Sequence, residues 1–303
     1  MQVIQTVREL QQLADAERAA GLRVALVPTM GALHAGHLSL VHAARRRADR
    51  VWVSIFVNPA QFNDPNDLAK YPRGMERDLE ACREANVDAV FAPAPAEMYP
   101  ADAQTGVDVT ELTRPLCGSD RPGHFRGVTT IVSKLFLAAK PHVAVFGEKD
   151  FQQLAVIRRM VRDLGFDVEI VGAPIEREPD GLALSSRNLN LDPEARRQAL
   201  VLVHALDACK LAVTAGERRT AALLHLARHE IAKATRARID YVELRDPETL
   251  APAPERLASP ALLALAVCFD PAESGQGATV RLIDNRVLEV HPGDGKVEPK
   301  EID

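Results

Sequence analysis

At 303 residues, 47% of them hydrophobic, the chain has enough apolar material for one large domain or two modest ones. A formal net charge of −5 gives no reason to expect a nucleic acid or a membrane surface as partner, although it leaves room for a local phosphate site. No apolar run reaches bilayer-spanning length, no basic segment followed by an apolar core marks a secretory signal, and Cys82, Cys117, Cys209 and Cys268 form no Cys-x-x-Cys pair. The cysteines read as reduced thiols, and the expected compartment is the cytoplasm.

In chain order, Arg23–Val27 reads as a short buried strand, and Leu38, Leu40, Val41 and Ala44 recur at helical spacing until Arg45-Arg46-Arg47 closes that helix. Val51–Val57 is a second strand, Glu76–Glu84 falls in a helix opened by Pro72, and Ala89–Phe91 is a third strand. A helix is expected over Thr129–Ala139, a strand over Val143–Phe146, a helix with Leu154, Ile157, Val161 and Leu164 on its apolar face, and a strand over Val168–Val171. This alternation predicts an α/β fold, a Rossmann-type doubly wound parallel sheet, over residues 1–175. From residue 176 to 303 the character changes. Two helical stretches and strands near Tyr241–Leu244, Leu262–Phe269 and Val280–Ile283 predict a smaller C-terminal α+β domain. The tail from His291 onward, rich in Pro, Gly and charge, is expected to fray.

The segment Pro28-Thr29-Met30-Gly31-Ala32-Leu33-His34-Ala35-Gly36-His37 is the turn from the first predicted strand into its helix. Open α/β sheets bind ligands at such turns, where free helix N-terminal N–H groups attract anions. His34 and His37 are three residues apart and share a helix face, and Gly36 leaves room for a ring or a phosphate. An isolated His-x-x-His pair reads equally as solvated histidines or as two metal ligands, but no nearby Cys/His cluster completes a zinc set. The segment matches neither a Walker loop nor the glycine-rich dinucleotide pattern.

His34-Ala35-Gly36-His37 resembles the HxGH signature of the nucleotidyltransferase superfamily, and the full decamer resembles the pantothenate synthetase (pantoate–β-alanine ligase) family. Four more segments resemble that family in order: Phe56–Phe62 (FVNPAQF), Arg121–Val128 (RPGHFRGV), Phe146–Leu154 (FGEKDFQQL) and Asp180–Asn188 (DGLALSSRN). The resemblance implies ATP-dependent condensation of D-pantoate with β-alanine through a pantoyl adenylate, with Mg2+ accompanying ATP and a homodimer as the assembly. It implies a nucleotide- and pantoate-binding first domain and a C-terminal domain that covers the site. A nucleotidyltransferase acting on a phosphate ester would share the HxGH turn but should lack FVNPAQF and the two glutamines of GEKDFQQL.

Carried over position by position, the resemblance implies ATP contacts at Met30, Gly31, Ala32, Leu33, His34, Ala35, Gly36 and His37, with His34 and His37 donating to the triphosphate. His37 also inherits the label of proton donor. Gly147, Glu148, Lys149 and Asp150 supply the next ATP segment, in which the Lys149 ammonium can follow the phosphates and Asp150 can cap the following helix or help hold the nucleotide. Glu176 is implied as a backbone contact to adenine. Leu184, Ser185, Ser186 and Arg187 resemble the closing loop of HxGH enzymes, where hydroxyls and a forked guanidinium suit phosphate oxygens. Gln61 and Gln153 are implied on pantoate, because a primary amide can both donate to and accept from a hydroxy acid, with β-alanine entering near Gln61. Asp78, in the acidic position after Tyr71-Pro72-Arg73, is implied near Mg2+, while Arg77 stands where some relatives have a second acid. Ala60 replaces the methionine common in FVNPMQF. His124 and Arg126 are placed in a loop on the pantoate side.

Overall fold

The computed structural model describes residues 1–63, 68–69, 71–272 and 278–290; the tail from His291 lies outside the described residues. The chain divides into two compact units, Met1–Glu176 and Arg177–Asp303.

The first unit is built on a six-stranded sheet of β1 (Gln2–Ile4), β2 (Val24–Thr29), β3 (Arg50–Ile55), β4 (Ala89–Phe91), β5 (Val143–Gly147) and β6 (Glu169–Ala173), ordered β1-β4-β3-β2-β5-β6. Every pairing is parallel. Val24, Ala25, Leu26 and Val27 of β2 and Val143, Ala144 and Val145 of β5 are fully buried, as a parallel strand covered on both faces must be. The chain runs outward from β2 to β3 on one side, and β5 flanks β2 on the other. The crevice beyond the carboxyl ends of β2 and β5 is therefore the topological switch point. PTMGALHAGH and GEKD leave the sheet at that edge, the first from β2 and the second from β5.

Several boundaries differ from the sequence reading. β1 and the helix Val7–Ala19 carry no sequence expectation, although Thr6 and Glu9 form a capping box in which the Glu9 N–H donates to Thr6 Oγ1 at 3.2 Å. β2 continues through Pro28 to Thr29; its pairing with β5 ends at Leu26, so the prolyl nitrogen forfeits no ladder bond on that side. The helix predicted from Thr129 begins at His124, which moves His124 and Arg126 from a loop into its first turn. Its N-cap is Gly123 in the left-handed region (φ 82°), without the side-chain cap that marks a start in sequence. Asp150 occupies the N-cap of the helix Phe151–Leu164, but its side chain makes no cap bond.

The second unit sets helices against an antiparallel sheet of β7 (Ala237–Arg245), β8 (Ala261–Phe269) and β9 (Val280–Leu288), with β8 central. The run ALLALAVCF is buried along all of β8, and Leu202, Leu206 and Leu223 of the helices Val201–Thr214 and Thr220–Ile231 join its core cluster. A third helix, Pro193–Gln198, precedes the two expected, with Pro193 in its first turn and the Asp192 carboxylate accepting the Glu194 and Ala195 N–H groups.

Candidate functional site

The strand-to-helix turn after β2 is held by its own histidines. His34 is the N-cap of the helix Ala35–Arg45; its Nδ1 accepts the Gly36 N–H at 3.1 Å, and His37 Nδ1 accepts the His34 N–H at 3.4 Å. Imidazoles thus take the reciprocal places that Ser/Thr and Glu/Gln hold in a capping box. Because each Nδ1 accepts, each neutral ring carries its proton on Nε2, which leaves two N–H donors for a ligand. The ring centroids are 4.2 Å apart. Burial, followed by the Lys149 charge, holds His34 below its ordinary pKa. His37 is pushed down to about 4, by burial first and then by His34, with Lys149 adding to the shift and Asp150 opposing it. GEKD lies within electrostatic reach of the HxGH turn, the Lys149 charge bearing on both imidazoles and the Asp150 charge on His37. Two neutral N–H donors and an ammonium at the carboxyl edge of a parallel sheet have the chemistry that suits an anion.

A second cluster surrounds Gln61 in the 3-10 turn Pro59–Gln61. Gln61 is buried, and its Oε1 accepts from Asn58 Nδ2 at 2.7 Å, which fixes the amide with its NH2 on the opposite side. Asn58 Nδ2 also donates to the Gly127 carbonyl at 3.0 Å, tying the turn to the helix His124–Ala139. His124 Nδ1 lies 2.8 Å from the Gln61 carbonyl, and Arg121 Nη2 donates to the same oxygen at 3.2 Å. His124 therefore supports Gln61, whereas the exposed Arg126 guanidinium lies beside Gly106. Asn58 and Gly127 were not singled out in the sequence. Asn-Pro signals a turn, but the partner of the Asn58 amide lies 69 residues away.

The adjacent glutamines of GEKDFQQL part company. Gln152 is buried and internal: its Nε2 donates to the carbonyls of Leu112 (3.0 Å) and Pro115 (2.6 Å), while its Oε1 accepts the Cys117 N–H (3.1 Å). Gln153 is half-buried, and one helical step, about 100°, turns it away from those partners.

In the second unit, Ser185 caps the short 3-10 helix Ser186–Asn190, with its hydroxyl accepting the Arg187 N–H at 3.3 Å. Arg187 is exposed, Leu184 and Ser186 are half-buried, and Glu176, the last residue of the first unit, is exposed. The base of this loop is braced by an antiparallel bridge between Arg177 and Ala183 and by Asn188 Nδ2 donating to Glu178 Oε1 at 2.8 Å. Arg177 forks onto the fully buried Asp284 of β9 at 2.7 and 2.9 Å.

Asp78 lies in the helix Met75–Glu84, which opens at Gly74 rather than at Pro72. It is 3% exposed. Its Oδ2 accepts the Ala32 N–H at 2.9 Å and its Oδ1 the Leu33 N–H at 2.8 Å. A carboxylate so committed does not fit as the direct protein ligand of a magnesium ion. Among the described residues, no group of three or more His, Cys, Asp or Glu could hold a metal.

Comparison with known proteins places these features in context. The family model described as pantoate-beta-alanine ligase matches residues 2–287. A pantothenate synthetase of Geotalea daltonii is 54% identical over 288 residues, covering 95% of this chain and 99% of the relative. That of Moorella thermoacetica is 53% identical, covering 96% and 100%. Among solved structures, pantothenate synthetase from Thermus thermophilus is similar with a TM-score of 0.85 at 45% identity, covering 95% of this chain and 100% of that one. Pantoate-beta-alanine ligase from Francisella tularensis, complexed with beta-gamma ATP and beta-alanine, is similar with a TM-score of 0.75 at 31% identity, covering 96% and 99%.

Proposed function

Because this chain belongs to the pantoate–β-alanine ligase family, we propose that it joins D-pantoate to β-alanine with ATP, and that its own residues divide the work as follows. A pantoate carboxylate oxygen attacks the α-phosphorus of ATP and pyrophosphate leaves. The β-alanine amine then attacks the acyl carbon of the pantoyl adenylate, AMP leaves, and the product is pantothenate. A free carboxylate resists amines because its leaving group is poor, and adenylation replaces that group with a phosphate ester. The enzyme's contribution is to position the reactants and stabilise charge on the phosphates, without a protein nucleophile.

The observation that carries this reading is the pair of Nε2–H donors on His34 and His37 beside Lys149 at the switch point. Neutral imidazoles donate to phosphate oxygens whose charge grows as pyrophosphate leaves. In this reading His37 acts as a donor, because protonating its Nδ1 would break the bond to the His34 N–H. Lys149 follows the leaving phosphates, and Met30–His37 and Gly147–Asp150 line the nucleotide. Leu184, Ser185, Ser186 and Arg187 supply hydroxyls and a guanidinium for the β- and γ-phosphates, and the Glu176 backbone meets adenine. Gln61 and Gln153 read the pantoate oxygens, with β-alanine entering beside Gln61. Support for Gln61 comes from Asn58, which holds its carbonyl oxygen and leaves its NH2 to the substrate.

Magnesium is expected with the nucleotide, and no step is assigned to it, since Asp78 does not fit as its ligand. A homodimer in the cytoplasm completes the reading. Among the described residues no helix is long and apolar enough to cross a membrane. The test is AMP and pyrophosphate formation from Mg2+·ATP and D-pantoate, with and without β-alanine. Pantothenate and AMP that require both acids bear the reading out. Pyrophosphate release indifferent to pantoate overturns it.

A further inference from the structure

The turn Met30–Leu33 carries two consecutive residues in the left-handed region, Gly31 (φ 84°) and Ala32 (φ 51°). For an alanine that conformation costs roughly 1–2 kcal/mol, so something must hold it. The same geometry turns the successive N–H groups of Ala32 and Leu33 toward a common point, a concavity that attracts anions. In a phosphate-binding loop such a nest would face the ligand. Here a protein carboxylate fills it, one Asp78 oxygen on each amide. Gly31 completes the fit, because a Cβ there would lie 2.9 Å from Asp78 Oδ2 and 3.2 Å from Ile55 Cγ2.

Three further amides of the turn are also committed, that of Gly31 to Thr29 Oγ1, that of His34 to His37 Nδ1 and that of Gly36 to His34 Nδ1. The turn therefore presents its two imidazoles to a ligand, and their placement depends on backbone that Asp78 clamps from behind. We propose that Asp78 is a positioning residue for the adenylation step: as the internal anion of the Gly31–Leu33 nest it sets His34 and His37, and it is not a ligand of magnesium. The activity arm of its test rests on the function proposed above, whereas the exchange arm needs only that Mg2+·ATP binds.

The experiment has two arms. In the wild-type protein, hydrogen exchange at the Ala32 and Leu33 amides is followed with and without Mg2+·ATP. Both amides should remain protected when Mg2+·ATP is added. Loss of protection at either would show the carboxylate turning toward the ion and would overturn the proposal. In Asp78→Asn, one amide N–H meets an NH2 group instead of an oxygen, and the turn loosens. The rate of pyrophosphate release should fall about 100-fold, the loss typical of a misplacement near 1 Å. The Mg2+ concentration for half-maximal rate should stay within about twofold of wild type, Mn2+ should not restore activity, and Ala32→Gly added to Asp78→Asn should recover part of it by removing the left-handed penalty. A folded Asp78→Asn with wild-type rates, or one rescued by high Mg2+ or by Mn2+, would refute the positioning role. If wild-type protein makes no AMP from pantoate, the function fails while the exchange result still decides what Asp78 does.

Discussion

Replacing Gly127 with alanine is the sharpest probe of how the pantoate side is built. A Cβ at this position would lie 2.3 Å from the Ala60 carbonyl oxygen, 2.6 Å from the Ala60 carbonyl carbon and 2.9 Å from the Gln61 nitrogen. Non-bonded carbon contacts are comfortable near 3.5 Å, so the helix and the Pro59–Gln61 turn must separate by about 1 Å. All three atoms belong to the backbone, and no rotamer change can relieve the clash. Overpacking of this kind costs about 1–3 kcal/mol of stability. The larger effect falls on function, because the displaced turn carries Gln61 and the displaced helix carries the carbonyl that Asn58 holds. A shift near 1 Å at a positioning group costs on the order of 100-fold in rate. Initial-rate assays of AMP formation should therefore show kcat/KM for pantoate reduced about 100-fold, with KM for ATP changed less than about threefold. Urea unfolding of the same sample measures the stability cost. Wild-type pantoate kinetics in folded Gly127→Ala protein would refute the reasoning, since the close approach would then have no bearing on Gln61.

Other expectations concern charge and burial. His37→Ala should lower kcat by about 10²–10³, the worth of one well-placed donor, while His37→Gln should retain at least tenfold more activity because its NH2 can stand near the lost Nε2–H; equal rates for the two variants would count against the donor role. With its pKa at about 4 against an ordinary 6.5, His37 stays neutral in the free enzyme, so its imidazole NMR signals should show the Nε2–H form unchanged from pH 8 to about pH 5. The sign for stability follows: the unfolded chain takes up the proton first, so the contribution of His37 is whole above pH 6.5 and falls as the pH drops toward 4. Asp284→Ala strands the Arg177 guanidinium and should cost about 3–5 kcal/mol in urea unfolding, with a loss below about 1 kcal/mol excluding a strong pair. Burial pushes the Cys82 and Cys209 thiols up to about 11, so neither should react with a disulfide reagent at pH 8 until the chain is unfolded.

The sequence by itself determined every strand of the first unit but β1, and the turn that follows the first of those strands. Runs such as Val24–Val27 and Val143–Val145 read as buried parallel strands because they are short, β-branched and alternate with helical stretches, and a His-x-x-His turn after one of them is legible because helix starts and strand ends are local events. The substrates came from motif resemblance, which no periodicity could supply. The tertiary structure decided what depends on partners far along the chain. It separated Gln152, consumed by three backbone groups, from its neighbour Gln153, and it joined Asn58 to Gly127 across 69 residues. It also set Asp78 against amides 45 and 46 residues earlier, where the family resemblance implied a place near magnesium. An acid in the first turn of a helix reads the same whether it faces water, an ion or a buried nest. Which of these it meets is set by how the helix Met75–Glu84 packs behind the turn, because hydrogen-bond partners of buried groups are chosen by packing and not by sequence neighbours.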